Sequence, residues 1–158
     1  MVPSQRNTAL LPIGTIEAHG ATSPAADVLI PEKFAAEIAD RPKVMVLPSI
    51  PYGLTRFLYG YPGSLTVKPA TFEACISEII DSCSDHPFKK VVIVNGHGGD
   101  RASLNEVGWE GFHRTGLKIA GVHGGMLAAE VAGKCTVSRE DMPLWMKTLS
   151  FWPLSRSW

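Results

Sequence analysis

Four consecutive branched apolar residues, Val91-Val92-Ile93-Val94, run directly into Asn95-Gly96-His97-Gly98-Gly99-Asp100, and this junction constrains the chain more than any other stretch. A short apolar run bounded by turn residues reads as a strand buried on both faces. The glycines let the backbone turn sharply at its C-terminal end, leaving one imidazole and one carboxylate exposed. In an open α/β sheet that edge is where ligands bind. A βα turn whose glycines serve the turn alone is the competing reading. What favours function is a second segment far upstream, Gly14-Thr15-Ile16-Glu17-Ala18-His19-Gly20.

The rest of the chain alternates between strand and helix patterns. Thr8-Ala9-Leu10-Leu11-Pro12-Ile13-Gly14 is a short apolar strand that opens into the Glu17/His19 segment. A small-residue loop, residues 21–27, follows, and Pro31 near the start with Phe34 and Ile38 four apart predicts a helix over residues 31–39. Val44 to Pro48 is a second strand. Residues 48–63 hold three prolines, three glycines and three tyrosines, the composition of a long surface loop that either walls a pocket or packs its tyrosines. Phe72, Cys75, Ile76, Ile79, Ile80 and Cys83 give residues 71–85 a helical period, with Thr71 as a possible cap. A helix over residues 101–114, with Leu104, Val107, Trp109 and Phe112 apolar, leads to a strand over residues 116–122, and residues 126–131 add a further helical turn. Strands too apolar to have a wet face, alternating with helices, predict an α/β fold: a three-layer α/β/α sandwich around a mainly parallel sheet. From about Gly133 the pattern is lost. The organisation is therefore a domain over residues 1–133 and an aromatic tail over 134–158, which covers core surface or mediates a subunit contact.

Composition narrows the function classes. A chain of 158 residues with 45% hydrophobic content buries one core of ordinary size. Fifteen basic and fifteen acidic residues cancel, so the charge balance favours neither nucleic acid nor an anionic membrane, and a small polar substrate fits better. Cys75, Cys83 and Cys135 form no CxxC pair and are odd in number, which predicts reduced, mostly buried thiols. With no signal-like N-terminus and no run near the roughly 18 apolar residues of a span, the expected location is cytoplasmic.

Glu17 and His19 lie two apart, so an extended backbone puts both side chains on one side. Asp27 follows after a loop, and His97 arrives from the other strand end. This mixed carboxylate and imidazole set, free of thiolates, suits Zn²⁺ or Mn²⁺. It can hold one metal, or two sharing a carboxylate, and lower the pKa of water to about 7. His86 and His113 read as ordinary packed or solvated histidines.

The two motifs, residues 14–20 and 94–100, resemble the signature segments of the creatininase (creatinine amidohydrolase) family. Leu47-Pro48-Ser49-Ile50-Pro51-Tyr52-Gly53 and Tyr61-Pro62-Gly63-Ser64-Leu65 agree in order, so the similarity covers roughly residues 8–130. The resemblance implies an α/β/α sandwich, often oligomeric, with a two-metal site that hydrolyses carbon-nitrogen bonds in cyclic or formyl amides. It puts Glu17, His19, Asp27 and His97 at metal-ligand positions, with Asp27 as the bridge. Some members carry the final carboxylate two residues beyond the second-motif histidine, where this chain has Gly99; Asp100, one residue on, or Glu130 is the substitute.

The expected function is thus a metal-dependent amidohydrolase of a small-molecule amide, with two Zn²⁺ or Mn²⁺ ions at Glu17, His19, Asp27 and His97. His97 and Asp100 are the expected catalytic residues. It would work as a homo-oligomer without nucleic-acid or membrane partners. The alternative is a truncated or degenerate domain of the same fold with a non-catalytic assembly role. A phosphate cradle in the glycine turn ranks last, since the turn lacks both the P-loop Lys-Ser/Thr and GxGxxG spacing.

Overall fold

The structure, a computed structural model, describes residues 6–124. The helical turn expected at residues 126–131, the boundary at 133, the aromatic tail and Cys135 lie outside the described residues. Four parallel strands form one sheet: β1 (Thr8–Ile13), β2 (Val44–Val46), β3 (Lys90–Asn95) and β4 (Lys118–His123), in the order β2-β1-β3-β4. The helices between them are α1 (Ala26–Ile38), α2 (Pro69–Ser84) and α3 (Arg101–Thr115).

Strand alternation assigns the layers. Ala9, Leu11, Ile13, Val91 and Ile93 share a core with Phe72, Ile76 and Ile80 of α2 and Leu104 and Val107 of α3. Leu10, Val94 and the partly buried Val92 point the other way, against Ala35, Phe34 and Ile38 of α1. Successive residues of one strand face opposite sides, so strands this apolar need helices on both faces. The result is the expected sandwich. The chain moves from β1 to β2 in one direction, then from β2 back across β1 to β3. Right-handed crossovers that reverse direction place their helices on opposite faces, so the loops leaving β1 and β3 part over the C-terminal edge. That is the switch point of this sheet.

Several boundaries differ from the sequence reading. α1 begins at Ala26, one turn before the expected start, so Pro31 lies inside it and Asp27 in its first turn. Pro31 lacks the N–H that would bond the Asp27 carbonyl. β2 ends at Val46 rather than Pro48, although Leu47 N–H still bonds Leu10 O at 2.8 Å and Ile50 bridges to Ile13; Pro48, without an N–H, interrupts the ladder. α2 starts at Pro69 with Lys68 as its cap, so Thr71 is not the cap. In α3, Trp109 and Phe112 are exposed, and the buried face runs through Ser103, Leu104, Val107, Gly108 and Gly111. Cys83 is buried as expected, but Cys75 is exposed.

Candidate metal centre

Three segments converge at the switch point: the loop after β1, the first turn of α1, and the turn after β3. The glycines that begin the two motif turns serve this convergence. Neither Gly14 nor Gly96 has a positive φ. A Cβ on Gly14 would lie 2.2 Å from the Asp27 carbonyl oxygen, and one on Gly96 would lie 1.9 Å from the same atom. Both strand ends thus press against the backbone of α1 where Asp27 sits, and only glycine allows the approach. Gly98 and Gly99 also keep negative φ, so the turn does not depend on left-handed backbone.

The side chains of Glu17, His19 and Asp27 meet, with one ligand atom from each inside a 4.8 Å radius of the others. His19 Nε2 lies 3.2 Å from Asp27 Oδ1 and 3.7 Å from Glu17 Oε1. His97 Nδ1 lies 2.8 Å from Asp27 Oδ2 and 3.5 Å from Glu17 Oε1. Asp27 therefore turns one oxygen to each histidine. The rear nitrogens are held as well: His19 Nδ1 donates to Glu17 O at 3.0 Å, and His97 Nε2 donates to Leu54 O at 3.2 Å. Fixing the far N–H on a backbone carbonyl orients an imidazole as metal ligation would require. All four residues proposed from the sequence are brought together.

Electrostatics follow from this packing. Burial alone would lower the His97 pKa, but the hydrogen bonds to Asp27 and Glu17 and the nearby charge of Asp100 raise it to about 10. Burial acts to raise the Glu17 carboxyl, yet the hydrogen bond and charge of His97, aided by His19 and Thr55, hold it below its ordinary value. Without a cation, protonated His97 neutralises part of the carboxylate charge.

Asp100 is different. It is fully buried behind Leu54, whose N–H donates to Oδ1 at 2.7 Å, while Oδ2 has no hydrogen-bond partner among the described residues. Burial raises its pKa to about 6, with His97 and the Leu54 N–H opposing and the charges of Asp27 and Glu17 adding to the rise. Asp100 has no exposed surface, and among the described residues no hydrogen bond joins it directly to Glu17, His19, Asp27 or His97. Nor does residue 99 have room for a carboxylate: a Cβ there would lie 2.4 Å from His97 Nε2.

Other supporting residues escaped the sequence reading. Asn95 clamps the second motif, accepting from His97 N–H at 2.9 Å and donating to His97 O at 2.6 Å and to His123 Nδ1 at 3.3 Å. The long loop after β2 is tied to the first motif at both ends: the Thr15 and Thr55 hydroxyls lie 2.9 Å apart, Ala18 N–H donates to Ser64 Oγ, and Leu65 N–H donates to Ile16 O. Between these ties Phe57, Tyr59 and Tyr61 are exposed, as is Tyr52, so the tyrosines are not core packing. The order of residues 47–53 and 61–65 was the available signal for these ties. His86 and His113 are exposed, His113 against the Trp109 ring, as ordinary histidines.

Fold and site together define an α/β protein with a carboxylate and imidazole cluster at the switch point of a parallel sheet. The chain belongs to the creatininase family: the model of that family, described as creatinine amidohydrolase, matches residues 2–146. It is 29% identical over 94 residues to creatinine amidohydrolase of Pseudomonas putida, covering 56% of this chain and 36% of that protein. It is 36% identical over 104 residues to the mycofactocin precursor peptide peptidase of Mycolicibacterium smegmatis, covering 60% of this chain and 41% of the relative. The chain spans less than half the length of either. Among solved structures, a mutant creatininase of Zn-Zn type superposes with a TM-score of 0.80 at 21% identity, over 92% of this chain and 61% of that one. A manganese creatininase gives 0.77 at 21% identity, over 90% and 60%. These likenesses establish the fold.

Proposed function

We propose that the protein is a metal-dependent hydrolase of a carbon-nitrogen bond in a small-molecule amide, cyclic or formyl. The carrying observation is the division of Asp27 between His19 and His97, with Glu17 facing both histidines. Two carboxylates and two imidazoles, each imidazole braced on a carbonyl, form a donor set that fits Zn²⁺ or Mn²⁺. Glu17, His19, Asp27 and His97 would hold the metal, two ions per site with Asp27 shared between them. A divalent ion there would supply a Lewis acid that polarises a carbonyl and lowers the pKa of bound water to about 7. The chain's part is to keep Glu17 ionised and to hold both imidazoles in one orientation. The names of the relatives, an amidohydrolase and a peptide peptidase, support an amide substrate.

The same reading includes a homo-oligomer in the cytoplasm, with no nucleic-acid or membrane partner. The exposed Phe57, Tyr59 and Tyr61 support a subunit contact, and zero net charge offers nothing to polyanions. No helix among the described residues is long and apolar enough to cross a membrane. A second reading, a domain that keeps the fold for assembly and has lost turnover, is favoured by the lack of room for a carboxylate at Gly99. The test is a panel of creatinine-like lactams, formyl amides and short peptides, assayed with Zn²⁺, with Mn²⁺ and after chelation. Metal-dependent release of an amine from one class is the expected result. Folded, metal-loaded protein that cleaves none of them contradicts hydrolysis and leaves the assembly reading.

A further inference from the structure

Behind the proposed metal ligands runs a chain of three residues joined by two links. Asp100 Oδ1 accepts the Leu54 N–H at 2.7 Å, and Leu54 O accepts from His97 Nε2 at 3.2 Å. His97 Nδ1 is thereby left to the carboxylates, 2.8 Å from Asp27 and 3.5 Å from Glu17. Every member is sealed from solvent: Asp100 is 0% exposed, Leu54 2% and His97 8%. Two glycines make room for it. A Cβ on Gly53 would lie 2.5 Å from both Asp100 oxygens, and one on Gly99 would meet His97 Nε2 at 2.4 Å and Leu54 O at 2.7 Å.

A buried carboxyl with one oxygen unpartnered among the described residues is costly to retain, and such a group calls for an explanation. Its bonded oxygen fixes one peptide, and the other end of that residue's backbone fixes the ring of a proposed ligand. An imidazole offers its two nitrogens differently, and the one that carries the proton on a neighbouring acceptor is removed from ligation. We propose that Asp100 is a positioning residue that acts through Leu54 on His97, committing His97 to present Nδ1 to the Glu17 and Asp27 carboxylates. The inference rests on the metal reading for its purpose, but the relay itself belongs to the protein without metal.

Imidazole ¹⁵N NMR of histidine-labelled protein tests both parts separately. In wild type, His97 Nε2 carries a proton with and without zinc, and zinc perturbs Nδ1. Asp100→Ala should release the ring, change the His97 signals in metal-free protein and weaken zinc binding about 10- to 100-fold. Asp100→Asn keeps an oxygen for the Leu54 N–H and should restore both readouts. Gly99→Ala interrupts only the last link, giving the same His97 change with the Leu54 amide signal retained, and it keeps the test decisive if Asp100→Ala does not fold. An unprotonated Nε2 in metal-free wild type overturns the relay. So does an Asp100→Ala protein with wild-type His97 signals, or ligation through Nε2. Failure of wild type to bind zinc, with the metal-free signals as expected, counts against the metal reading and leaves the relay standing.

Discussion

Gly14 and Gly96 come from different motifs, yet one atom accounts for both, since the Asp27 carbonyl leaves no space for a Cβ at either position. Gly96→Ala should therefore cost about 1–3 kcal/mol, the range of an overpacked core, and displace Asp27 from His97; urea unfolding and zinc titration would read the two effects. His123 gives a pH prediction. Burial, with the charge of Arg101 adding to it, lowers its pKa from 6.5 to about 4, in keeping with a neutral ring that accepts from Asn95. The unfolded chain then takes up the proton first, so this contribution is complete above pH 6.5 and is lost as pH falls toward 4, roughly 3 kcal/mol in all. Asp100, with its pKa raised from 3.8 to about 6, acts oppositely: its contribution is complete below 3.8 and lost as pH rises through 6. The difference in unfolding free energy between wild type and His123→Gln isolates the first and should shrink between pH 6.5 and 4; a constant difference would refute it. The convergence of Glu17, His19, Asp27 and His97 was legible because donor chemistry is written in side-chain identity. Leu54 was not, because its role lies in its backbone N–H and C=O, which every non-proline residue has.

Among the elements, α2 shows when a periodic pattern is sufficient. Phe72, Ile76, Ile80 and Cys83 recur at helical spacing and are all buried. Ile80→Ala should cost about 2–5 kcal/mol, whereas Trp109→Ala on α3, where the residue is 59% exposed, should cost under about 1 kcal/mol; chemical denaturation of the two variants checks the contrast. The apolar pattern of α3 misled for a physical reason. Its inner face is lined by Gly108 and Gly111, and a Cβ at 111 would stand 3.0 Å from Ile119 and 3.1 Å from Ile80. Close packing selects small residues that hydrophobicity does not register, while larger aromatics remain outside. α1 was entered late for a related reason: Pro31 resembles a first-turn proline, but the helix accepts it internally. Its missing N–H concerns the carbonyl of Asp27, which already lies against Gly14 and Gly96.

For the whole molecule, strand order does the functional positioning. The sandwich was readable because each strand is apolar on both sides, a pattern that only two helical layers satisfy. The order β2-β1-β3-β4 was not read from the sequence, since nothing local in β2 reports that α2 carries the chain back past β1. That reversal sets the ends of β1 and β3 side by side, and it makes two motifs about eighty residues apart into one cluster. If the cluster is a metal centre, occupancy should depend on all of its arms. The most direct measurement is elemental analysis of the purified protein alongside His97→Ala, with circular dichroism to verify the fold. The expected result is one to two equivalents of Zn²⁺ or Mn²⁺ per chain in wild type and loss of metal in the folded variant. Folded wild-type protein that is metal-free and takes up neither ion would contradict the account.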